Sequence, residues 1–123
     1  MKAIKTNNAP TALGPYSQAT LKGGMLFISG QLGIDPQTGK LKEGFEAQAR
    51  QVFINLSNIL QTANMSFKNV LKATIYVTDM DNFQLLNQIY AEQFTEPFPA
   101  RETVQITRLP ANGLVEISLI AAE

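Results

Sequence analysis

Apolar residues recur along this chain with two periods, every third or fourth residue in two stretches and every second residue in several others. The first spacing marks an amphipathic helix and the second a half-buried strand. Phe45–Ala63 predicts the stronger helix, with Phe45, Ala49, Val52, Phe53, Leu56, Ile59, Leu60 and Ala63 on one stripe. Asp79–Asn82 predicts the start of a second helix, its acidic residues suited to the positive end of the helix dipole. That helix is expected to run to about Phe94, with Phe83, Leu86, Ile89, Tyr90 and Phe94 as its core stripe and Asn87 beside it. Alternation predicts strands at Ala3–Thr6, Ala19–Lys22, Met25–Ser29 and Val70–Val77. In the last of these, Leu71, Ala73, Ile75 and Val77 share the apolar face, with Val70 left at the start. Gly23-Gly24 suits a type I′ turn and so predicts a hairpin. Gly30–Gly33 is expected to leave the sheet, Asp35–Gly39 to form a turn, and Asn7–Ser17 to be a loop.

The last quarter carries the chemistry. Glu102–Arg108 and Leu114–Ala121 alternate on either side of a Leu-Pro-Ala-Asn-Gly cluster, which predicts an antiparallel hairpin. In the second segment Val115, Ile117, Leu119 and Ala121 form a wholly apolar face, so Glu116 falls on the opposite one. In the first, Arg101, Thr103, Gln105 and Thr107 share a face, and Val104 and Ile106 share the other. If Val104 and Ile106 join the core, Arg101 and Glu116 emerge on the same side of the sheet.

The element order β-β-β-α-β-α-β-β, with two helices able to cover only one face, predicts a two-layer α+β domain spanning 1–123. Its other face would mix polar and apolar residues, which suggests cover by further copies of the chain. Hydrophobic residues make up 45% of 123, enough for one core, and ten basic residues balance ten acidic ones. Net neutrality and the absence of a basic run argue against nucleic-acid binding. With no cysteine and no histidine there is no disulfide, no thiol nucleophile, no imidazole base and no usual zinc site. Gly33–Lys40 resembles a phosphate loop only superficially, because five residues separate its glycines and Leu41 follows the lysine. No stretch is long and apolar enough to span a bilayer, and the Met-Lys-Ala start lacks the apolar region of a signal peptide. A cytoplasmic protein is the expectation, with no membrane partner.

Gly14-Pro15-Tyr16-Ser17, Ile28-Ser29-Gly30-Gln31, Asn87-Gln88-Ile89-Tyr90, Pro99-Ala100-Arg101 and Leu109-Pro110 before Val115-Glu116-Ile117 together resemble the RidA, or YjgF-like, family. The resemblance covers essentially the whole chain. It implies a chorismate-mutase-like fold, a homotrimer with clefts between subunits, and hydrolysis of 2-enamine and 2-imine acids to 2-keto acids and ammonia without a cofactor or metal. It further implies that Arg101 holds the substrate carboxylate and Glu116 positions or activates water. Tyr16, Ser29, Gly30, Asn87 and Thr103 match other cleft positions. Many members have Ser-Cys or Ser-Thr after Pro-Ala-Arg, whereas Glu102-Thr103 stands here, placing an extra carboxylate beside the expected anion site.

The residue types fit that chemistry. A guanidinium forks onto a carboxylate, and a carboxylate able to take a proton from water suffices for attack on an electrophilic imine carbon. Three alternatives stand beside it: Arg101 and Glu116 as a sheet-supporting salt bridge, a non-catalytic chaperone-like trimer binding small carboxylates, and a ribonuclease or translation inhibitor.

Overall fold

The computed structural model describes residues 1–123. In chain order come β1 (Lys2–Ile4), β2 (Ala19–Lys22), β3 (Met25–Leu32), β4 (Ile34–Asp35), β5 (Lys40–Leu41), α1 (Phe45–Thr62), β6 (Val70–Val77), α2 (Phe83–Ala91), β7 (Ala100–Gln105) and β8 (Val115–Ala122). The main sheet has the order β1-β2-β3-β8-β6-β7, while β4 and β5 form a small pair of their own around the expected Asp35–Gly39 turn. All neighbours in the main sheet are antiparallel except β6 and β7. Both helices pack on one face, giving the two-layer α+β architecture.

The helix stripes behave as their spacing predicts. Ala49, Val52, Leu56, Ile59 and Leu60 of α1 are fully buried against Ala73, Ile75, Ile117 and Ala121 of the sheet. Phe53 meets Phe67, Tyr90 and Phe94 edge-on, closing the end of the core between the helices. α1 stops where Asn64 takes a left-handed φ of 59°, letting the Met65 N–H reach back to the Leu60 carbonyl at 2.9 Å. α2 is shorter than the periodicity suggests. The Asp79 carboxylate caps a tight turn at Met80–Asn82 before the helix proper, and Phe94 is buried beyond its end.

Three expectations about the strands fail, each for a physical reason. First, β7 and β8 do not form a hairpin, because β6 lies between them. A strand–helix–strand unit returns the chain parallel to its start, so β7 adds to the outer edge of β6. The connection then folds back through a turn at Pro110–Asn112, with Ala111 and Asn112 at φ 57° and 58°, and β8 enters on the far side of β6. The wholly apolar face of β8 takes an interior place, while β7, one face wholly polar and the other carrying Glu102, tolerates the edge.

Second, β3 does not end at Ser29. Its pairing with β8 steps from Ile28↔Leu119 to Gln31↔Ile117, so one extra residue is accommodated at Ser29-Gly30 and the strand continues. Third, a similar slip between Val70 and Lys72 buries Val70 and leaves Leu71 51% exposed, reversing the expected assignment. The Gly23-Gly24 turn does form, both glycines having positive φ.

Candidate functional site

The pairing register decides which side chains share a face. Along β6, Ala73, Ile75 and Val77 point to the helices. Arg101, Thr103 and Gln105 pair with these three residues, so they share the helix side of the sheet. Glu102 and Val104 therefore face the open side, where Val104 is 43% exposed. Glu116 pairs with Tyr76 and lies on the open face with Ser118 and Ile120. Arg101 and Glu116 thus emerge on opposite faces, contrary to the sequence expectation. They also differ in level by three residues and stand two strands apart, on the order of 14 Å before sheet thickness is counted. No salt bridge joins them, and the chain's ion pairs use other residues.

Glu116 belongs to the first of two clusters. Its carboxylate lies so close over Gly30 that a Cβ there would fall 2.7 Å from Cδ and 2.9 Å from Oε2. The bulge in β3 and the missing side chain together make this seat. The carboxyl is half-buried with no cation beside it, and desolvation pushes its pKa above the usual carboxylate range. Next to it, the Ser29 hydroxyl donates to the Ser17 carbonyl at 2.7 Å, tying the bulge to the Asn7–Ser17 loop. Gly30 and the largely exposed Tyr16 line a cleft of about 570 Å³ together with Leu13, Leu32 and Pro110. The loop itself is pinned by Gln18, a residue the sequence reading passed over. Its buried amide donates to the Thr6, Ala9 and Pro10 carbonyls and accepts from the Thr6 N–H.

Arg101 belongs to the second cluster. Its guanidinium carbon lies 4.8 Å from the Tyr90 ring centroid and 5.6 Å from that of Phe83. Asn87 lies between those two along the same face of α2, four residues from one and three from the other. Two buried hydroxyl oxygens in this cluster, Tyr90 Oη and Thr103 Oγ1, have no hydrogen-bond partner. Burial raises the Tyr90 pKa, and the Arg101 charge partly offsets this. Glu102 is not part of the cluster. It reaches Lys72 at 2.9 Å across the open face, so the extra carboxylate does not crowd the arginine as the sequence suggested.

One chain therefore brings together Tyr16, Ser29, Gly30 and Glu116, and separately Arg101, Thr103 and Asn87, but not the two groups. An unpaired arginine beside the unpartnered Thr103 hydroxyl suits a small anion, and an unpaired, desolvated carboxylate suits proton transfer to or from water.

Comparison with known proteins gives a consistent picture. The family model described as Endoribonuclease L-PSP matches residues 6–123. The chain is 49% identical over 125 residues to a RutC family protein of Aquifex aeolicus, covering all of both. It is 45% identical over 123 residues to the 2-iminobutanoate/2-iminopropanoate deaminase of Bos taurus, covering 99% of this chain and 90% of that one. The crystal structure of RidA from an Antarctic Psychrobacter superposes with a TM-score of 0.98 at 45% identity, covering the whole of each chain.

Proposed function

The chain belongs to the RidA/YjgF family, and from that premise we propose that it hydrolyses short 2-imino acids, and the 2-enamino acids that tautomerise to them, to 2-keto acids and ammonia. One observation carries the reading: the chain holds an arginine with no anionic partner and a desolvated carboxylate with no cationic one, kept apart on opposite faces. A half-buried carboxylate with no cation beside it costs stability, so it is a poor support for the sheet. The relatives named 2-iminobutanoate/2-iminopropanoate deaminase support the reaction class.

In the proposed reaction Arg101 binds the substrate carboxylate through two parallel N–H donors, and the Thr103 hydroxyl adds a third. Asn87 and Tyr16 flank the substrate. Water adds to the imine carbon, forming a C–O bond while the C=N bond becomes an amine. Glu116 accepts the proton that water loses and returns it to that nitrogen. Glu116 then takes the carbinol O–H proton and passes it to the amine, the C–N bond breaks, ammonia leaves, and the carbinol oxygen becomes the keto group. The carboxylate's raised pKa brings it closer to a general base's working range. No step requires a metal or an organic cofactor.

Because a short acid cannot span the two clusters of one chain, the Arg101 cluster of one copy is proposed to meet the Glu116 cluster of another. The open face supports such an assembly, with Phe27 48% exposed beside its pair Ile120, and Tyr76 and Val104 further along. The family resemblance makes the number three. Sedimentation should give a trimer at micromolar concentration, and a stable monomer would remove the composite site.

The deciding experiment follows ammonia and 2-keto acid release from freshly generated 2-aminocrotonate. The parent should accelerate hydrolysis, and Glu116→Gln should lose about 10²–10⁴-fold of that acceleration while still binding 2-keto acids. Tight 2-keto acid binding without acceleration by the parent would favour a non-catalytic carboxylate-binding protein instead.

A further inference from the structure

We infer that Phe83 and Tyr90 form an aromatic bracket that holds the Arg101 guanidinium ready for a carboxylate, acting as positioning residues for the site. The inference rests on the reading of Arg101 as the anion-binding group. An arginine side chain loses about 2 kcal/mol of rotamer freedom when ordered, so an unrestrained one weakens every complex it enters. Arg101 has no carboxylate to restrain it, and no side chain or backbone carbonyl of the chain accepts from it. What touches it are the two rings, with the guanidinium carbon over both.

The sequence places these rings for that purpose. Phe83 and Tyr90 are seven residues apart on α2, two turns along one face, which aims both at the same stretch of β7. Ring faces attract a guanidinium through its charge without occupying its N–H groups. Stacking can therefore order the arginine while leaving its donors for a ligand, which a carboxylate partner could not do. The rings differ in setting. Tyr90 is 7% exposed and packs on Phe94 at 4.5 Å, so it forms the fixed wall. Phe83, 37% exposed, forms the outer one. The Tyr90 hydroxyl is buried without a partner, so the ring rather than the oxygen is what the position uses.

The test measures 2-oxobutanoate affinity by calorimetry for the parent, Phe83→Leu, Tyr90→Phe, Arg101→Lys and the double variant Phe83→Leu/Arg101→Lys. Phe83→Leu should weaken binding by about two- to thirtyfold with its melting temperature little changed, the range expected for a partly desolvated cation–π contact. Tyr90→Phe keeps the ring and should bind as the parent does. In the Arg101→Lys background most of the Phe83→Leu effect should vanish, because the bracket acts through the guanidinium. Parent-like binding by Phe83→Leu, alongside a clear loss in Arg101→Lys, overturns the bracket and leaves the anion-site reading intact. A full Phe83→Leu loss persisting in the double variant also overturns it, since the ring would then act on the ligand directly. A Tyr90→Phe loss as large as that of Phe83→Leu overturns the role given to the ring. A parent with no affinity for 2-oxobutanoate overturns the anion-site reading and the bracket with it.

Discussion

Gly30→Ala is the sharpest probe of the Glu116 seat. The added Cβ would stand 2.7 Å from Cδ, 2.9 Å from Oε2 and 3.0 Å from Cγ of Glu116. Ordinary van der Waals contact begins near 3.4 Å, so the carboxyl group must retreat by about 0.7 Å. The obstructing atoms belong to a flexible, half-buried side chain rather than to backbone, so the displacement is inexpensive. Stability should fall by about 1 kcal/mol, the low end of overpacking costs. Catalysis is less forgiving, since a misplacement of about 1 Å at a reacting group can cost about 10²-fold. Gly30→Ala should therefore lower kcat for 2-aminocrotonate hydrolysis by roughly ten- to a hundredfold, with 2-oxobutanoate affinity less affected. Gly23→Ala serves as the contrast. Its φ of 59° makes alanine strained, but nothing lies within 4 Å of the new Cβ, so it should cost stability and leave kcat alone. Added to Glu116→Gln, Gly30→Ala should have little further effect on kcat. Parent-like kcat in Gly30→Ala would refute the claim that carboxylate position at this bulge governs the reaction.

Arg101→Lys keeps the charge but loses the bidentate fork, so 2-keto acid affinity should drop by one to two decades, the equivalent of about 1.5–3 kcal/mol, with the fold intact by circular dichroism. Glu116 has a folded pKa raised above 4.5, so the folded chain holds its proton more tightly than the unfolded chain does. Its contribution is favourable below the unfolded pKa and is lost as pH rises through the folded one, so Glu116→Gln should melt higher than the parent at pH 7, with the advantage shrinking towards pH 4. Equal melting curves at pH 7 would mean that the carboxyl is not desolvated in solution. Gln18→Leu strands the Thr6, Ala9 and Pro10 carbonyls that its amide now satisfies, and should destabilise by on the order of 2–4 kcal/mol in denaturant titrations, mobilising the loop that carries Tyr16.

Much of this architecture was legible in the sequence because it depends on local periodicity. The stripe of α1 and the Gly23-Gly24 turn follow from spacing and backbone preference alone, and both form where they are expected. The bulges were not legible. An alternating run reads the same whether or not an extra residue is inserted, and only the partner strand, at Ala121–Ile120 or at Leu119–Ile117, reveals the slip. Gly30 was legible as part of a motif, but its physical role depends on a carboxylate 86 residues away in sequence. Phe83 and Tyr90 were read as core stripe. Nothing in their spacing distinguishes a ring packed on leucine from a ring packed on guanidinium.

The assignment of Arg101 to a face failed for a reason that bears on function. Alternation divides a strand into two sets of side chains, but it does not state which set meets the core. For β8 the answer was forced, because one set is wholly apolar. For β7 one set, Arg101, Thr103 and Gln105, is wholly polar, and placing the other, with Val104, in the core gave the wrong answer. The parallel pairing with β6 places Ala73 opposite Arg101, and that single register turns the arginine toward α2. The helix then supplies rings in place of a carboxylate, so the charge of Arg101 stays available. The same register leaves Glu116 without its obvious partner and holds its pKa up. Had the hairpin formed with Val104 in the core, the two would have emerged on one face of the sheet. The βαβ crossover instead leaves each charge unpaired, Arg101 on the helix face of the sheet and Glu116 on the open one.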